Sequence, residues 1–417
     1  MKNPVRATRT RFATTAIALA AGLSLGNAAF AACSPTAANR PVCPSAAAAA
    51  TASFIDPTAS ITGTLTRISI KEQSYVGPFA AITASGNVAI GHATNLQDNV
   101  TVSGTGAVSL GDEVILAHGA QVRAPATIGR TAVVGAHNAS FVGFNSLVEG
   151  GTVEHDAMVL HLARVAPGIT IKHGMVVLSG KNVTTQAQAD NVALGKVVPI
   201  TEGLRAFMDG VLHVNETFAR EYTNMHRDNA SNSLGINYDP GNSDFNPLRN
   251  LPTFEGVAAR VPAYRNRIIG DVRMGDKLED VLTSGGNFGN FISLRADEGE
   301  PFHMDLVGKM ADRVTFHALE HTGLDLHKGI EFGLRSIVHG GSGPATSANE
   351  HAATVVGDST KIGNYAVVFR SVVGKGSDIG CGSLVQDATL PEGAKVPRLT
   401  IVEGTVSRAV EWNPGGC

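Results

Sequence analysis

Aliphatic residues recur along two long stretches of this chain, each followed by glycine or a small polar residue. Ile61-Thr-Gly, Ile90-Gly, Ile128-Gly, Val134-Gly and Val142-Gly mark the first stretch, and Val148, Val153 and Val159 continue its spacing. A unit of about six residues with one aliphatic position is the pattern of a hexapeptide β-helix. Each hexad makes a short strand and a turn, three make a coil, and the aliphatic positions stack inside, so stability accumulates coil upon coil. A sandwich or barrel needs longer, alternating strands. From Thr201 the period changes. Across Glu202 to Arg227, Leu204, Phe207, Met208, Val211, Leu212, Phe218 and Tyr222 fall at helical spacing, with Gly210 as an interruption. Residues Asp228 to Arg249, rich in Asn, Asp, Gly and Pro, predict a linker. The hexads then return with Ile268-Ile-Gly, Val355-Val-Gly, Lys361-Ile-Gly, Val373-Gly and Asp378-Ile-Gly, and Leu384 to Val402 supplies the last strands. The expected fold is mainly β, with two tandem parallel β-helices over residues 50–200 and 250–417, and an α-helix and linker over 201–249.

Composition agrees. Glycine reaches 47 of 417 residues, while charged residues make up 17% and aromatics 5%, which suits short strands and tight turns better than a helical bundle. A formal net charge of -3, with no Lys or Arg run beyond the N-terminus, gives no footprint for nucleic acid. At the N-terminus Lys2, Arg6, Arg9 and Arg11 flank an apolar run from Phe12 to Leu25, followed by small residues up to Ala32. This predicts a signal peptide over residues 1–32 and a periplasmic or secreted protein. The apolar run is short of a membrane span, and no later segment is apolar enough for one. Export makes disulfides available to Cys33, Cys43, Cys381 and Cys417. Of three connectivities, Cys33–Cys43 with Cys381–Cys417 is the simplest.

Candidate chemistry concentrates between Leu294 and Gly341. Arg295, Asp297, Glu298, Asp312 and Glu320 crowd there with His317, His321, His327 and His339, in a chain otherwise poor in such groups. His92, His137, His155, His161, His173, His303, His327 and His351 are expected at the surface, and His213 and His226 at the surface or in packing on the helix.

Two segments within this stretch, LRADEGEP at Leu294 to Pro301 and HALE at His317 to Glu320, closely resemble motifs of the gamma class of carbonic anhydrases. The first half resembles the same class at Phe54 to Ile61, Thr94 to Val100, Ile115 to Gly129 and Gly174 to Asp190. The resemblance implies a left-handed β-helix, trimeric packing of β-helices in a homo-oligomer, and zinc held by three histidines. Two of these come from one β-helix, at the first residue of HALE and the second histidine of H-x4-H. The third is the first histidine of H-x4-H on the neighbouring β-helix. Neither half of this chain has all three. Repeat one has Ser103, His118 and Arg123 at these places, whereas repeat two has His317, Leu334 and His339. The losses are complementary, so His118 with His317 and His339 makes one composite site between unlike repeats. The pattern leaves open whether they meet within one chain or between chains.

The resemblance sorts other residues the same way. It implies proton handling by Glu298 and Glu320, and Gln97 near the reacting water, where repeat two has Ala311. It also implies a structural pair, Arg295 with Asp98, across the interface. The implied reaction is reversible hydration of carbon dioxide to bicarbonate by a hydroxide on zinc, with Fe2+ or Co2+ suited to the same ligands. Two alternatives stand beside it: an inactive structural or binding β-helix of the same family without the metal, and a hexapeptide-repeat acyltransferase. Export away from acyl-coenzyme A argues against the acyltransferase.

Overall fold

Every coil places one aliphatic side chain of each strand inside. In the first half Ile55, Val76, Leu96, Leu116, Val142, Val159 and Val177 stand in cross-strand register, one per coil, and are all buried. The column Ile82, Val102, Val122, Val148, Val165 and Val183 repeats this on a second face, and Ile70, Ile90, Leu110, Ile128, Val153 and Ile171 on the third. Burying each such side chain stabilises the stack by about 1.5–3 kcal/mol. A computed structural model of the chain describes residues 31–43, 48–129, 137–228, 266–270, 272–274, 288–297, 302–319, 322–341 and 354–417. The segment up to Phe30 expected to be a signal peptide, the linker expected beyond Asp228, and Glu298, Glu320, His321 and His351 lie outside these residues.

Among the described residues the first half forms three sheets of seven, seven and nine strands, and the second half three of eight, six and five. Neighbouring coils pair in parallel. Antiparallel strands close the ends: Val197–Pro199 on Met175–Val177 in the first stack, and Val406–Ala409 on Thr400–Glu403 in the second. The chain is thus mainly β, built of two left-handed β-helices. Both cysteine pairs form, Cys33 with Cys43 and Cys381 with Cys417.

Two helices follow the first stack: the short α1 (Gln186–Asp190) and the long α2 (Glu202–Asp228). At the start of α2 the Thr201 hydroxyl accepts from Leu204 N at 3.3 Å. Glu202 in the first turn and His226 and Arg227 in the last complement the helix dipole. Met208, Leu212, Phe218, Tyr222 and Met225 form its buried stripe, and the helix runs through Gly210 unbroken.

The two stacks belong to one compact unit, Ala31 to Cys417. They meet corner to corner along a seam. Asn99 Nδ2 donates to Thr315 Oγ1 at 3.0 Å and to the Phe291 carbonyl at 3.3 Å. Two coils further, Asn145 Nδ2 donates to the carbonyls of Arg335 at 3.0 Å and Tyr365 at 3.3 Å. These corners need left-handed backbone, with φ of +59° at Asn99 and +51° at Asn145. Asparagine tolerates that region better than most residues. Gly119, between them in the same column, has φ +71°, and a Cβ there would sit 2.3 Å from Asn145 Oδ1. Beside the seam a shared apolar core joins Ile115, Phe141 and Phe144 of stack one, Met208 and Leu212 of α2, and Ile337, Phe369 and Leu384 of stack two. At the far end Glu411 receives Lys181 and the Asn182 N–H, each at 3.0 Å, and Trp412 donates to the Leu162 carbonyl.

Asn99→Gly removes the seam bonds and keeps the corner backbone accessible. Denaturant unfolding should show a loss of about 1–3 kcal/mol, and an unchanged midpoint would mean that the corner bonds contribute nothing.

Candidate metal centre

The site grows from two ladders. On stack two, Arg295, His317, His339 and Phe369 stand in register on successive strands. On stack one, Leu96, Leu116, Val142 and Val159 are in register, so the turns that follow them put Asp98, His118, Phe144 and His161 at one repeated position. The equivalent turn of stack two, two residues after Phe332, carries Leu334. Where the stacks meet, the turn column of one faces the strand ladder of the other.

His118, His317 and His339 converge there within one chain. Each offers a ring nitrogen, and these three nitrogens lie within 4.8 Å of one another. Ring centroids are 4.9 Å apart for His118 and His317 and 5.1 Å for the other two pairs. His118 Nε2 and His317 Nδ1 approach to 2.9 Å. All three rings are buried. Burial, and then the neighbouring imidazoles, hold the pKa of His118 well below the usual histidine value, and burial followed by His317 does the same for His339. Both are neutral at physiological pH, the protonation state a metal requires.

The other ring nitrogens are directed outward from the cluster. His339 Nδ1 contacts the Gly340 carbonyl at 2.7 Å. His118 Nδ1 lies 3.8 Å from Asp98 Oδ2, and His317 Nε2 lies 3.7 Å from Asp297 Oδ1. Carboxylates and carbonyls behind the rings are the usual outer support of a histidine metal site. The donor set therefore fits a zinc-type ion, and among the described residues it is the one cluster of His, Cys, Asp or Glu that does.

Arg295 joins the halves behind this cluster. Its Nη1 donates to Asp98 Oδ1 at 3.0 Å and its Nη2 to Asp297 Oδ2 at 2.7 Å, with all three side chains buried. The guanidinium also lies 4.5 Å from the Phe218 ring of α2. Burial pushes the Asp297 pKa up most, but Arg295, His317 and the hydrogen bonds from Arg295 and Tyr222 together bring it below the usual carboxylate value, and it stays ionised. Tyr222 of α2 donates to Asp297, and burial, then that carboxylate, pushes its phenol well above the usual range.

In front of the histidines lies a cavity of about 280 Å³. Phe144, Phe207, Val211, Phe218, Leu319 and Phe369 give it apolar walls, and Gln97 and Asn215 add amides. Ala206 and Gly210, both exposed, line it where α2 meets solvent. A Cβ built on Gly210 meets nothing within 4 Å.

Several residues here were not expected from the sequence. His161, expected at the surface, is 6% exposed, stacks on Phe144 at 4.4 Å, and accepts from Phe144 N at 3.1 Å. Burial and then Arg370 lower its pKa to about 3. Phe144, Phe369, Asn215 and Tyr222 were likewise missed as site residues. The signal that finds Phe144 and His161 is the turn column, in which they occupy the place of His118 one and two coils on. The converse positions are vacant of chemistry: Arg123 is half exposed and paired with Glu149 at 3.1 Å, and Leu334 lines a shallow groove with Phe288, Met310 and Ala311.

No family model matches this chain. A carbonic anhydrase from Methanosarcina thermophila is 31% identical over 172 residues, covering 36% of this chain and 65% of that protein. The carboxysome assembly protein CcmM from a Nostoc species is 33% identical over 138 residues, covering 33% of this chain and 23% of that protein. Along these segments this β-helix protein is similar to the gamma-type carbonic anhydrases. It spans less than two thirds of the length of these curated relatives. Among solved structures, a hexapeptide transferase family protein from Anaplasma phagocytophilum is 19% identical with a TM-score of 0.30, covering 41% of this chain and 93% of that one. That score is too low to carry an argument.

The buried neutral histidines make this β-helical fold acid-sensitive. Unfolded, each titrates near 6.5. Folded, His118, His161 and His339 resist protonation, so the unfolded state binds more protons and stability falls as pH drops below about 6.5. His161, with its folded value about 3, should contribute up to about 1.4 kcal/mol per pH unit over that window. Urea unfolding of metal-free protein at pH 7 and pH 4.5 checks this, and His161→Phe should flatten the dependence.

Proposed function

We propose that this protein is a carbonic anhydrase that hydrates carbon dioxide reversibly to bicarbonate at a single centre made of His118, His317 and His339. The observation that carries this reading is the convergence of three buried imidazoles from unlike halves at the inner end of an apolar cavity. The carbonic anhydrase among its relatives supports the same reading. Zinc held there supplies Lewis acidity, and Fe2+ or Co2+ suits the same donors.

The chain's own residues do the rest. The walls of Phe144, Leu319 and Phe369 accept an apolar substrate such as carbon dioxide and hold bulk water away from the rings. Gln97, on the same turn as Asp98, presents an amide that orients the reacting oxygen. Asp98, Arg295 and Asp297 keep the two ligand-bearing ladders in register. Glu298 and Glu320 carry the proton outward. The two disulfides suit an oxidising compartment, in keeping with an exported, periplasmic or secreted protein.

A second reading is favoured by the relatives named for carboxysome assembly: a structural or binding β-helix without catalysis. Metal content separates the two. Protein purified without chelator should hold about one zinc or iron per chain. His118→Ala, His317→Ala and His339→Ala should each lose the metal and reduce carbon dioxide hydration, followed by stopped-flow pH change, by roughly a hundredfold or more. Metal-free wild-type protein that cannot be reconstituted would leave the assembly reading.

The β-helices also suit further association by trimer-like packing. Arg335 and Arg313 adjoin the seam with no salt-bridge partner among the described residues, and burial, then Arg313, lowers the Arg335 pKa to about 10. Arg335 donates across the seam to Thr101 Oγ1 at 3.0 Å and Arg313 to Asn99 Oδ1 at 3.4 Å, but no carboxylate among the described residues pairs with either cation, which favours an acidic neighbour. Sedimentation should give a homo-oligomer, and a wild-type monomer would rule this out.

A further inference from the structure

We infer that Tyr222 is a positioning residue for His317, acting through the Asp297 carboxylate, so that helix α2 sets metal affinity as well as covering the cavity. This rests on the metal-centre reading above.

The geometry runs in one line. Tyr222, buried in α2 of the first half, donates its hydroxyl to Asp297 Oδ2 of the second half. The other oxygen, Asp297 Oδ1, faces His317 Nε2 at 3.7 Å. The opposite nitrogen, Nδ1, is the one that meets His118. A carboxylate fixed on the Nε2 side favours a proton there and leaves Nδ1 as the donor turned toward the cluster.

Arg295 alone does not fix that carboxylate. Its Nη2 lies 2.7 Å from Oδ2, and its Nε is shared between Oδ2 at 3.0 Å and Oδ1 at 3.1 Å, so the guanidinium grips Oδ2 and holds Oδ1 only through one shared N–H. The Tyr222 hydroxyl reaches only Oδ2 and thereby commits Oδ1 to the imidazole. The phenol ring is itself held by Phe54 at 5.2 Å, Phe218 at 5.7 Å and Tyr75 at 5.9 Å. Removing the hydroxyl therefore leaves the ring in place and frees the carboxylate to turn.

The test is Tyr222→Phe in the full chain, read by two probes. Cobalt titration followed by visible absorption should give a Kd weaker by about ten- to a hundredfold. Nitrogen-15 NMR of metal-free protein should show His317 passing from one tautomer, protonated at Nε2, to a mixture. A cobalt Kd within about twofold of wild type overturns the inference. So does weaker binding with an unchanged His317 spectrum, which would mean that the hydroxyl acts through general stability. If wild-type protein takes up no cobalt, the metal-centre reading fails, and the NMR comparison alone then decides whether Tyr222 positions His317.

Discussion

Two buried guanidiniums fix how the two halves of this protein sit together: Arg267, paired with Asp56 of the first half at 3.1 Å, and Arg295 beside the histidines. Arg295 is 1% exposed and carries a charge that only carboxylates can compensate at that depth. One of them, Asp98, belongs to the first β-helix, and the other, Asp297, follows Arg295 by two residues in the second. A slip of one coil along the seam would separate Arg295 from Asp98 and leave buried charge unpaired. Asp98 and His118 occupy the same turn position in adjacent coils, and Arg295 and His317 are cross-strand neighbours. The register that pairs the charges is therefore the register that brings the histidines together.

The seam is asymmetric, and this explains why one chain makes one centre. Ser103 and Arg123 in the first half, and Ala311 and Leu334 in the second, stand where the resemblance to carbonic anhydrases would place a ligand or an amide. The faces that carry such groups are those in contact. Helix α2 is the third participant. It carries Phe218 onto Arg295 and Tyr222 onto Asp297, and its small residues Ala206 and Gly210 leave the cavity open toward solvent. A glycine inside a helix costs about 1 kcal/mol relative to alanine, and here the space it leaves borders the cavity.

Burial gives the histidines their character. Water is kept from the rings by Phe144 and Phe369, and His161 backs Phe144 with its own neutral ring. In such surroundings an imidazolium is disfavoured, so lone pairs are available where three of them converge. The far end of the molecule supports the same register, with Glu411 on Lys181 and Lys196 and Trp412 on Leu162 holding the stacks as Arg295 does near the centre.

The β-helical architecture was legible in the amino-acid sequence because a hexad is a local code. One aliphatic side chain per short strand specifies its own column, whatever lies beside the stack. The helix at Glu202 followed from its 3.6-residue stripe for the same reason, and the complementary losses at Ser103, Arg123 and Leu334 already implied that a ligand set was split between the halves. Only the tertiary structure decided that His118 meets His317 and His339 within one chain, since that depends on the seam, and a seam between stacks leaves no period in the sequence. Phe144 went unseen because its partners His339 and Phe369 lie across it, His161 because a lone histidine carries no mark of the ring it stacks on, and Tyr222 because a helical aromatic at core spacing carries no mark of the carboxylate it meets. What is repeated along the chain can be read from the chain, whereas contacts between elements far apart in sequence appear once the fold has closed.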